Sequence, residues 1–429
     1  MTQTQQPSFS VTQRRRAVLS SFLGSVIEFY DFILYATAAA VVFNQVFFSS
    51  LDPLVGTVAA FGTLATGYVA RPIGAIVFGH FGDRVGRKNM LIISMTLMGV
   101  SSTLIGLLPT YAQVGALAPV LLVFLRVMQG VALGGEWGGA VLLSAEHASS
   151  RRGLWASFTN AGAPVGLLLS TGVLAAAAAL TSEEAFLAWG WRIPFLLSIV
   201  LLVIGLFVRL KVTETPVFQA AADATPARPP LLEVLRKHPR NLALAVGIGF
   251  GAFVVQGTFT TFLTSYAVQS GFDRVSVLNA LTLSAVGALV AIIGFSTLTD
   301  RVGRRPVVLA GIVATTLWFF ALFPLVDTGS VAALTVALVV MHIVFNAWMG
   351  PSAALYSELF STGTRYTGAS LAYQLSGLGA GLAPVTFASM VAAGMGTMTI
   401  SIVVAVLALI SAASVLALRE TSRDRLTDT

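Results

Sequence analysis

Five acidic or basic side chains lie inside long apolar stretches of this sequence, where an isolated charge is costly. They are Glu28, Asp31, Arg71, Arg126 and Glu136. On membrane-insertion scales one unpaired charge at mid-bilayer costs roughly 2.5–3.5 kcal/mol, so five would cost about 12–17 kcal/mol, comparable to the stability of a whole domain. The five must therefore face the interior of a bundle and pair, or line a hydrated cavity. Such a set could bind protons through a carboxylate and anions through an arginine.

These charges can be paired by the depth at which each residue lies in the membrane along its apolar stretch. At a helical rise of about 1.5 Å per residue, Glu136 lies level with Arg71, and Asp31 is the acid nearest in depth to Arg126. Glu28 is then the acid without a cationic partner. A surplus carboxylate in a low-dielectric cavity can bind and release a proton as the cavity opens and closes. We predict a proton-coupling group among Glu28, Asp31 and Glu136, with Glu28 first; a static salt-bridge network is the alternative.

The second half of the chain has no carboxylate in the middle of an apolar stretch. Two of its polar residues, His342 and Asn346, are four residues apart and share a helix face. A lone histidine in such a stretch is more often a packing group than a proton carrier, so we assign these side chains to substrate hydrogen bonding as a group. The residues predicted to bind substrate are Tyr35, Arg71, Arg126, Trp137, Gln256, His342, Asn346 and Gln374.

The elements that position these residues are apolar helices. Hydrophobic residues make up 56% of the 429 residues and charged residues only 10%, against about 25% charge in a soluble domain. The pattern predicts an all-α integral membrane protein. Windows of about 20 apolar residues predict twelve spans, near residues 18–43, 54–78, 90–108, 117–143, 154–179, 192–210, 241–268, 275–297, 307–326, 331–356, 367–393 and 398–418.

The basic residues predict how the spans are oriented. The net charge of +7 would suggest a nucleic-acid partner for a soluble chain. With a cytoplasmic N-terminus, two of the 25 Lys and Arg residues lie within spans and two on the external side, which leaves 21 on the cytoplasmic side. Basic loops stay in the cytoplasm. We therefore predict a multi-pass protein of the cell membrane with both termini cytoplasmic, in contact with lipid and not with nucleic acid.

The sequence offers nothing that suits covalent or metal catalysis. It has no cysteine, which excludes disulfides, thiolate chemistry and cysteine-bound metals. The pair Gly79-x-x-Gly82 ends an apolar span and is followed by an acid and arginines, unlike a phosphate-binding loop. We predict that the protein is not an enzyme, holds no metal and uses no cofactor besides the proton.

A charged turn of one design occurs twice in the chain. The first copy is Gly79–Lys88 and the second is Ser296–Arg305, and their aspartates, Asp83 and Asp300, are 217 residues apart (300 − 83). A half-chain repeat is typical of transporters. The Asp-Arg-x-Gly-Arg turn between apolar spans resembles the loop signature of the major facilitator superfamily.

Further motifs, in order along the chain, resemble the metabolite:proton symporters, which include shikimate, α-ketoglutarate, citrate and proline/betaine transporters. The motifs are Glu28–Phe32, Ala70–Gly74, Arg126–Gly139, Trp189–Phe195 and Glu214–Phe218. The resemblance implies two pseudo-symmetric six-helix bundles, alternating access, and inward symport of a small polar metabolite with H⁺. The long polar stretch between the sixth and seventh spans predicts the boundaries on this chain: a first bundle over 1–210, a central cytoplasmic loop over 211–240 with a short amphipathic helix at 231–237, and a second bundle over 241–429 with a short cytoplasmic tail.

The same resemblance implies a cytoplasmic gate, in which the first charged turn latches against the opposite bundle. The second copy begins with Ser296 where the first has Gly79, which weakens the latch argument there. The predicted gate residues are Gly79, Asp83, Arg84, Gly86, Arg87, Lys88, Glu146, Asp300, Arg301, Arg304, Arg305, Glu358 and Arg365.

Two classes of substrate fit these residues. A fixed cation such as Arg126 suits a carboxylated metabolite, shikimate-like or dicarboxylate-like. A zwitterionic osmolyte such as proline or glycine betaine is the alternative, because Phe29, Tyr30, Tyr35 and Trp137 could form an aromatic cage. A second alternative is a sensor on a carrier fold that does not transport. We expect a monomer.

Overall fold

The computed structural model describes residues 11–85, 87–134, 157, 160–210, 230–361 and 364–420. Within them, twelve helices are long and apolar enough to cross a membrane, so every predicted span is confirmed in its described part. They are α1 (Val11–Val41), α2 (Pro53–Val85), α3 (Arg87–Leu107), α4 (Leu117–Gly134), α5 (Gly162–Leu180), α6 (Arg192–Leu210), α7 (Pro239–Gly257), α8 (Arg274–Val302), α9 (Arg304–Asp327), α10 (Val331–Met349), α11 (Arg365–Ala392) and α12 (Thr397–Ala417).

Short elements extend or connect the long helices. A π-helical turn, Thr258–Phe262, joins α7 to the helix Leu263–Gln269, and Ser352–Glu358 continues α10. The helix predicted at 231–237 is confirmed as Pro230–Lys237, although residues 211–229 of the central segment lie outside the described ranges. The remaining short helices are Phe43–Val46, Tyr111–Val114, Glu183–Ala185 and the π-helical Phe186–Gly190.

The two halves of the chain repeat the same packing. In the first half α2 packs on α4, α1 on α5 and α3 on α6; in the second half α8 packs on α10, α7 on α11 and α9 on α12. Between the bundles α2 packs on α11 and α5 on α8, and the repeat relates these two pairs to each other; α1 also packs on the segment Thr258–Gln269. We call the end where α2 meets α3 and α8 meets α9 the motif end, and the other the distal end.

Glycines let α2 and α4 approach until their backbones touch. A Cβ added to Gly74 of α2 would lie 2.0 Å from the Val131 carbonyl oxygen, and one added to Gly130 of α4 would lie 2.1 Å from that of Gly67. In lipid, where the hydrophobic effect does not drive helices together, such small residues permit close association. This contact sets the spacing between Arg71 on α2 and Arg126 on α4.

Candidate functional site

Two buried arginines share one aromatic ring at the centre of the first bundle. The Arg126 guanidinium carbon lies 4.0 Å from the centroid of Phe32 and 4.1 Å from that of Tyr35. The corresponding carbon of Arg71 lies 5.3 Å from Phe32 and 5.2 Å from Tyr68. A cation over an aromatic face is attracted by the ring quadrupole, more strongly when it is desolvated. Phe32 therefore helps to keep two buried positive charges together.

Two of the three side-chain nitrogens of Arg126 have no hydrogen-bond partner among the described residues. Its Nη1 donates to Gln129 Oε1 at 2.9 Å, whereas its Nε and Nη2 have no hydrogen-bond partner in the described part of the chain. A Cβ on Gly67 would lie 2.4 Å from that Nε, so the glycine makes room for the side chain. A fully buried cation with free donors is suited to receive an anion.

The predicted pairing of Arg126 with Asp31 is wrong. No ion pair joins them among the described residues, and Asp31 instead accepts a hydrogen bond at Oδ1 from Ser198 of α6. Ser102 of α3 faces the same carboxylate, while Oδ2 has no hydrogen-bond partner in the described ranges. Asp31 is wholly buried. Depth along the helices placed Asp31 and Arg126 at one level, but their side chains turn toward different neighbours.

The prediction that Glu28 has no cationic partner is also wrong. Arg209 of α6 places Nη2 3.8 Å from Glu28 Oε1, and its Nη1 donates to the Leu91 carbonyl at 3.3 Å. Arg209 thereby links α1, α6 and α3 near the motif end. In the sequence Arg209 is one of the 21 basic residues predicted on the cytoplasmic side. In the structure it lies in the last turn of α6, and its long side chain reaches inward. Gly24 provides the space, since a Cβ there would lie 2.7 Å from Nη2.

Glu136, the acid predicted to pair with Arg71, lies outside the described residues, as do Trp137 and Glu146. The hydrogen-bond partner that the structure gives Arg71 comes from the other bundle. Its Nε donates to Gln374 Oε1 of α11 at 2.8 Å, and Gln374 Nε2 donates to the Gly134 carbonyl of α4 at 3.2 Å. Two residues predicted as substrate ligands, Arg71 and Gln374, therefore contact each other across the bundle interface.

The other predicted ligands of the second half lie apart from this cluster. His342 is buried with its ring edge-on to Phe259 at 4.6 Å, and Nδ1 has no hydrogen-bond partner in the described part. Asn346 donates to the carbonyl of His342 at 2.7 Å. Within the described ranges no side-chain hydrogen bond or ring contact joins His342, Asn346 or Gln256 to either arginine. The packing role considered for His342 agrees with these contacts.

Polar contacts close the bundle interface toward both ends. At the distal end Arg274 of α8 pairs with Glu183 at 2.6 Å, and Gln269 donates to Thr57 at 3.1 Å. Toward the motif end, Asn160 donates to the Gly350 carbonyl at 3.5 Å. Sequence reasoning used Arg274 only for orientation, because nothing local identifies a partner 91 residues away.

The second charged turn braces its own bundle. Arg304 is buried and pairs with Asp300 at 2.9 Å and with Glu358 at 3.3 Å. The Glu420 carboxylate accepts from the backbone N–H groups of Arg304 and Arg305 at 2.9 and 3.0 Å, and such an acid suits the positive N-terminal end of α9. These contacts tie α8, α9, α10 and the segment after α12 together within the second bundle, and none of them reaches the opposite bundle.

The first charged turn remains a prediction. Gly86 and Glu146 lie outside the described residues, and the side chains of Gly79, Asp83, Arg84, Arg87, Lys88 and Arg365 also lie outside the described part of the structure. For Arg301 no hydrogen bond or ion pair is found within the described ranges.

Comparison with known proteins finds relatives of this chain. Residues 21–384 match the family model described as Major Facilitator Superfamily. The chain is 41% identical over 391 residues to the inner membrane metabolite transport protein YhjE of Escherichia coli (strain K12), covering 87% of each chain. It is 37% identical over 430 residues to the shikimate transporter of the same organism, covering 98% of each.

A more distant relative and a solved structure extend the comparison. The chain is 31% identical over 420 residues to the proline/betaine transporter of Salmonella typhimurium, covering 95% of this chain and 84% of the relative. The crystal structure of a D-xylose-proton symporter superposes with a TM-score of 0.78 at 17% identity, covering 96% of this chain and 99% of that one. This likeness shows the fold.

Proposed function

Because the chain belongs to the major facilitator superfamily, we propose that this membrane transporter imports a small organic acid together with protons. The protein is a multi-pass membrane transporter and not an enzyme, because its family and its relatives are transporters. The substrate class is a small polar metabolite with a carboxylate, shikimate-like or dicarboxylate-like. Transport proceeds by alternating access between the two bundles.

The observation that carries the substrate class is the state of Arg126. Its guanidinium is fully buried, lies on Phe32 and Tyr35, and has Nε and Nη2 free of hydrogen bonds in the described part. Leaving charged donors unsatisfied in a low-dielectric interior is costly. A substrate carboxylate would satisfy both with a two-bond contact. The name of the 37% identical relative, a shikimate transporter, agrees with such a ligand.

Asp31 is the proton-coupling residue in this proposal. Glu28 has a cation in Arg209, whereas Asp31 has two serines beside it and no ion pair among the described residues. Because no cation neutralises it, such a buried carboxylate can take up or release a proton when its surroundings change slightly. Proton binding at Asp31 and anion binding at Arg126 would each neutralise one buried charge.

The proposed orientation places the motif end and both termini in the cytoplasm, in the cell membrane, with the transporter acting as a monomer and using only the proton as coupling ion. The distal contacts Arg274–Glu183 and Gln269–Thr57 then form an external gate. At the motif end, the first charged turn with Asp83 would form the cytoplasmic latch. The second turn, with Arg304, serves as a brace inside its own bundle.

A proline or betaine transporter is the second candidate, since relatives with that name are 31% identical. The contacts of the aromatic residues argue against it. Tyr35 carries Arg126 on its face and donates its hydroxyl to Thr63 at 2.7 Å. Tyr30 is buried and donates to the Pro194 carbonyl at 2.8 Å. These rings are engaged by other groups, whereas a quaternary ammonium needs open aromatic faces.

The test is uptake by purified protein in proteoliposomes. Radiolabelled shikimate, α-ketoglutarate, citrate, proline and glycine betaine are offered with and without an inward proton gradient. We expect gradient-driven uptake of at least one of the organic acids. Uptake of proline or betaine alone would favour the second candidate. Uptake that ignores both the gradient and a protonophore would leave a facilitator.

A further inference from the structure

We propose that the second bundle binds one anionic phospholipid, with an acyl chain in an apolar groove and the phosphate on basic side chains at the motif end. The inference goes beyond the proposed function and does not depend on it, because it requires only that the twelve helices cross a membrane. The groove is separate from Arg126 and Asp31, neither of which lines it.

The lipid groove is an apolar cavity of about 610 Å³, within the range of roughly 300–1,000 Å³ typical of pockets that hold small molecules. Helix α7 packs on α11 on one side and on α12 on the other, and the groove lies between these two neighbours. Its lining includes Leu235, Phe250, Gly251, Leu375, Leu407 and Ile410. None of the described residues that line it has a polar side chain, so the groove suits a hydrocarbon and not water or a polar metabolite.

The length of the lipid groove matches one leaflet of a bilayer. Along α7 it runs from Pro239 to Gly251, 12 residues further on (251 − 239), which is about 18 Å at a rise of about 1.5 Å per residue. On α12, Leu407 lies 10 residues before Ala417, the last residue of the helix (417 − 407). One leaflet contributes about 15 Å of the roughly 30 Å hydrocarbon core. The groove therefore extends from the motif-end surface to about mid-membrane, the depth that an acyl chain occupies.

The short helix Pro230–Lys237 covers the motif end of the lipid groove. It packs on α7 and α11, with Val234 fully buried, and Leu235 lines the groove. Leu232 on the same helix is exposed, as expected for an apolar side chain that enters the membrane surface. A short helix with apolar side chains and a charged last turn is suited to lie at the level of the lipid headgroups.

The motif-end rim of the groove carries a net positive charge. Residues 230–240 contain three basic side chains, all exposed, and one acid. The acid, Glu233, pairs with Lys237 at 2.5 Å, so Arg236 and Arg240 carry the excess charge. Basic residues at a membrane surface attract anionic lipids.

Both arginines lie next to the groove. Arg236 follows Leu235 in the chain and Arg240 follows Pro239, and Leu235 and Pro239 line the groove. Arg240 Nη2 donates to the carbonyl of Ala417 at the end of α12 at 3.4 Å, so this side chain reaches from α7 to α12 at the motif end. A guanidinium has five N–H donors, and this bond leaves others for phosphate oxygens. A phospholipid supplies both the hydrocarbon for the groove and the anion for its rim.

The experiment counts the lipids bound to the purified protein by native mass spectrometry. Delipidated protein in detergent is titrated with phosphatidylglycerol and, in parallel, with phosphatidylcholine of the same acyl chains. We expect one phosphatidylglycerol to bind at least about tenfold more tightly, the effect of two basic residues at a membrane surface. Equal affinities would overturn the proposal. Glycerophosphoglycerol, the headgroup without acyl chains, should not compete at equal concentration; competition by it would show a site for free anions and refute a lipid.

Two substitutions test the groove by filling it. Ala243 of α7 is exposed and lines the groove, so Ala243→Trp should weaken binding of phosphatidylglycerol at least about tenfold. Leu407→Trp fills the groove from α12 and serves as a second variant if the first does not fold. The matched control is Ala310→Trp, at an exposed alanine near the motif end of α9 that does not line the groove. Unchanged binding in both filling variants, or an equal loss in the control, would refute the groove as the binding site.

A further pair of variants tests the rim. The double variant Arg236→Gln and Arg240→Gln should lose the preference for phosphatidylglycerol, whereas Arg236→Lys and Arg240→Lys together keep the charge and should retain it. A preference that survives the glutamine variant would overturn the assignment of the phosphate. The same spectra report the oligomeric state. A dimer that Ala243→Trp abolishes would assign the groove to a second copy of the chain and refute the lipid. None of these results depends on the transported substrate, which the uptake assay tests separately.

Discussion

Arg71 of α2 donates from Nε to Gln374 Oε1 of α11 at 2.8 Å, a hydrogen bond between residues 303 positions apart and on opposite sides of the bundle interface. Gln374 also donates to the Gly134 carbonyl of α4, and Gly377, one turn further along α11, leaves room for the Arg71 guanidinium. A neutral amide thus ties three helices together at a buried cation. Such a bond is weak enough to break in each transport cycle, whereas a buried ion pair is much harder to separate.

Gln374→Glu should therefore slow the carrier. The substitution puts a carboxylate against Arg71 and gives up the hydrogen bond from Gln374 Nε2 to the Gly134 carbonyl. Because the buried ion pair outweighs the lost neutral bond, we expect a net gain of about 1–2 kcal/mol, which corresponds to a roughly 5- to 30-fold slower opening step. The measurement is the rate of substrate exchange in proteoliposomes, together with cysteine accessibility from both sides, which the cysteine-free chain permits. Gln374→Leu, which removes the bond, is the control; a Glu variant that exchanges at the wild-type rate would contradict the role of this bond.

Arg126→Lys should lose substrate binding while the protein still folds. Lysine keeps the charge but offers a point-like ammonium in place of a planar fork, so it cannot make the two-bond contact with a carboxylate. We expect binding of the transported acid to weaken by at least about tenfold, equivalent to roughly 1.4 kcal/mol. Equilibrium binding in detergent measures the change. Near-normal affinity would show that Arg126 has a structural role.

Gly67→Ala should disturb the same site from α2. A Cβ at this position would lie 2.4 Å from Arg126 Nε, so the arginine must leave its place on Phe32 and Tyr35. The expected result is weaker substrate binding with expression retained. Gly62→Ala on the same helix is the matched control, because a Cβ there meets no atom within 4 Å. Equal affinities in the two variants would refute the placement of Arg126.

Substitutions of Asp31 and of Glu28 should have different effects on transport. Asp31→Asn removes the proposed proton carrier, so exchange of substrate should persist while accumulation driven by a proton gradient is lost. Glu28→Gln breaks the contact with Arg209 and should lower stability by about 1–3 kcal/mol, with accumulation retained. Thermal unfolding and the two transport assays measure these effects. If Glu28→Gln lost accumulation and Asp31→Asn retained it, Glu28 and not Asp31 would be the coupling residue.

Glu183→Gln should favour opening at the distal end. The pair between Glu183 and Arg274 joins the two bundles there. After its removal the neutral hydrogen bonds of Gln269 with Thr57 and of Thr282 with Thr171 remain between the bundles. We expect faster labelling of a cysteine introduced at the proposed external side of the interface. Glu184→Gln is the matched control, since Glu184 forms no ion pair among the described residues. Identical labelling in both variants would show that the Arg274 pair does not gate the cavity.

Local sequence information is sufficient to predict the twelve spans, the repeat of the charged turn and the family. Apolar length decides which segments enter the membrane, and residue type with spacing decides the motifs. The identity of Arg126 as a buried cation also follows from its place in an apolar stretch. These features need no knowledge of which helix lies beside which.

The partners of the buried charges depend on how the helices pack, which local sequence does not record. Residue counting gives the depth of a side chain along its helix, but neither the rotation of that helix nor the helix that faces it. Asp31 and Arg126 lie near one depth, yet Asp31 turns to Ser198 while Arg126 turns to Gln129. Glu28 meets Arg209 because that side chain reaches inward from the last turn of α6. Arg71 and Gln374 meet because α2 and α11 pack across the interface, a contact between halves that no local pattern records.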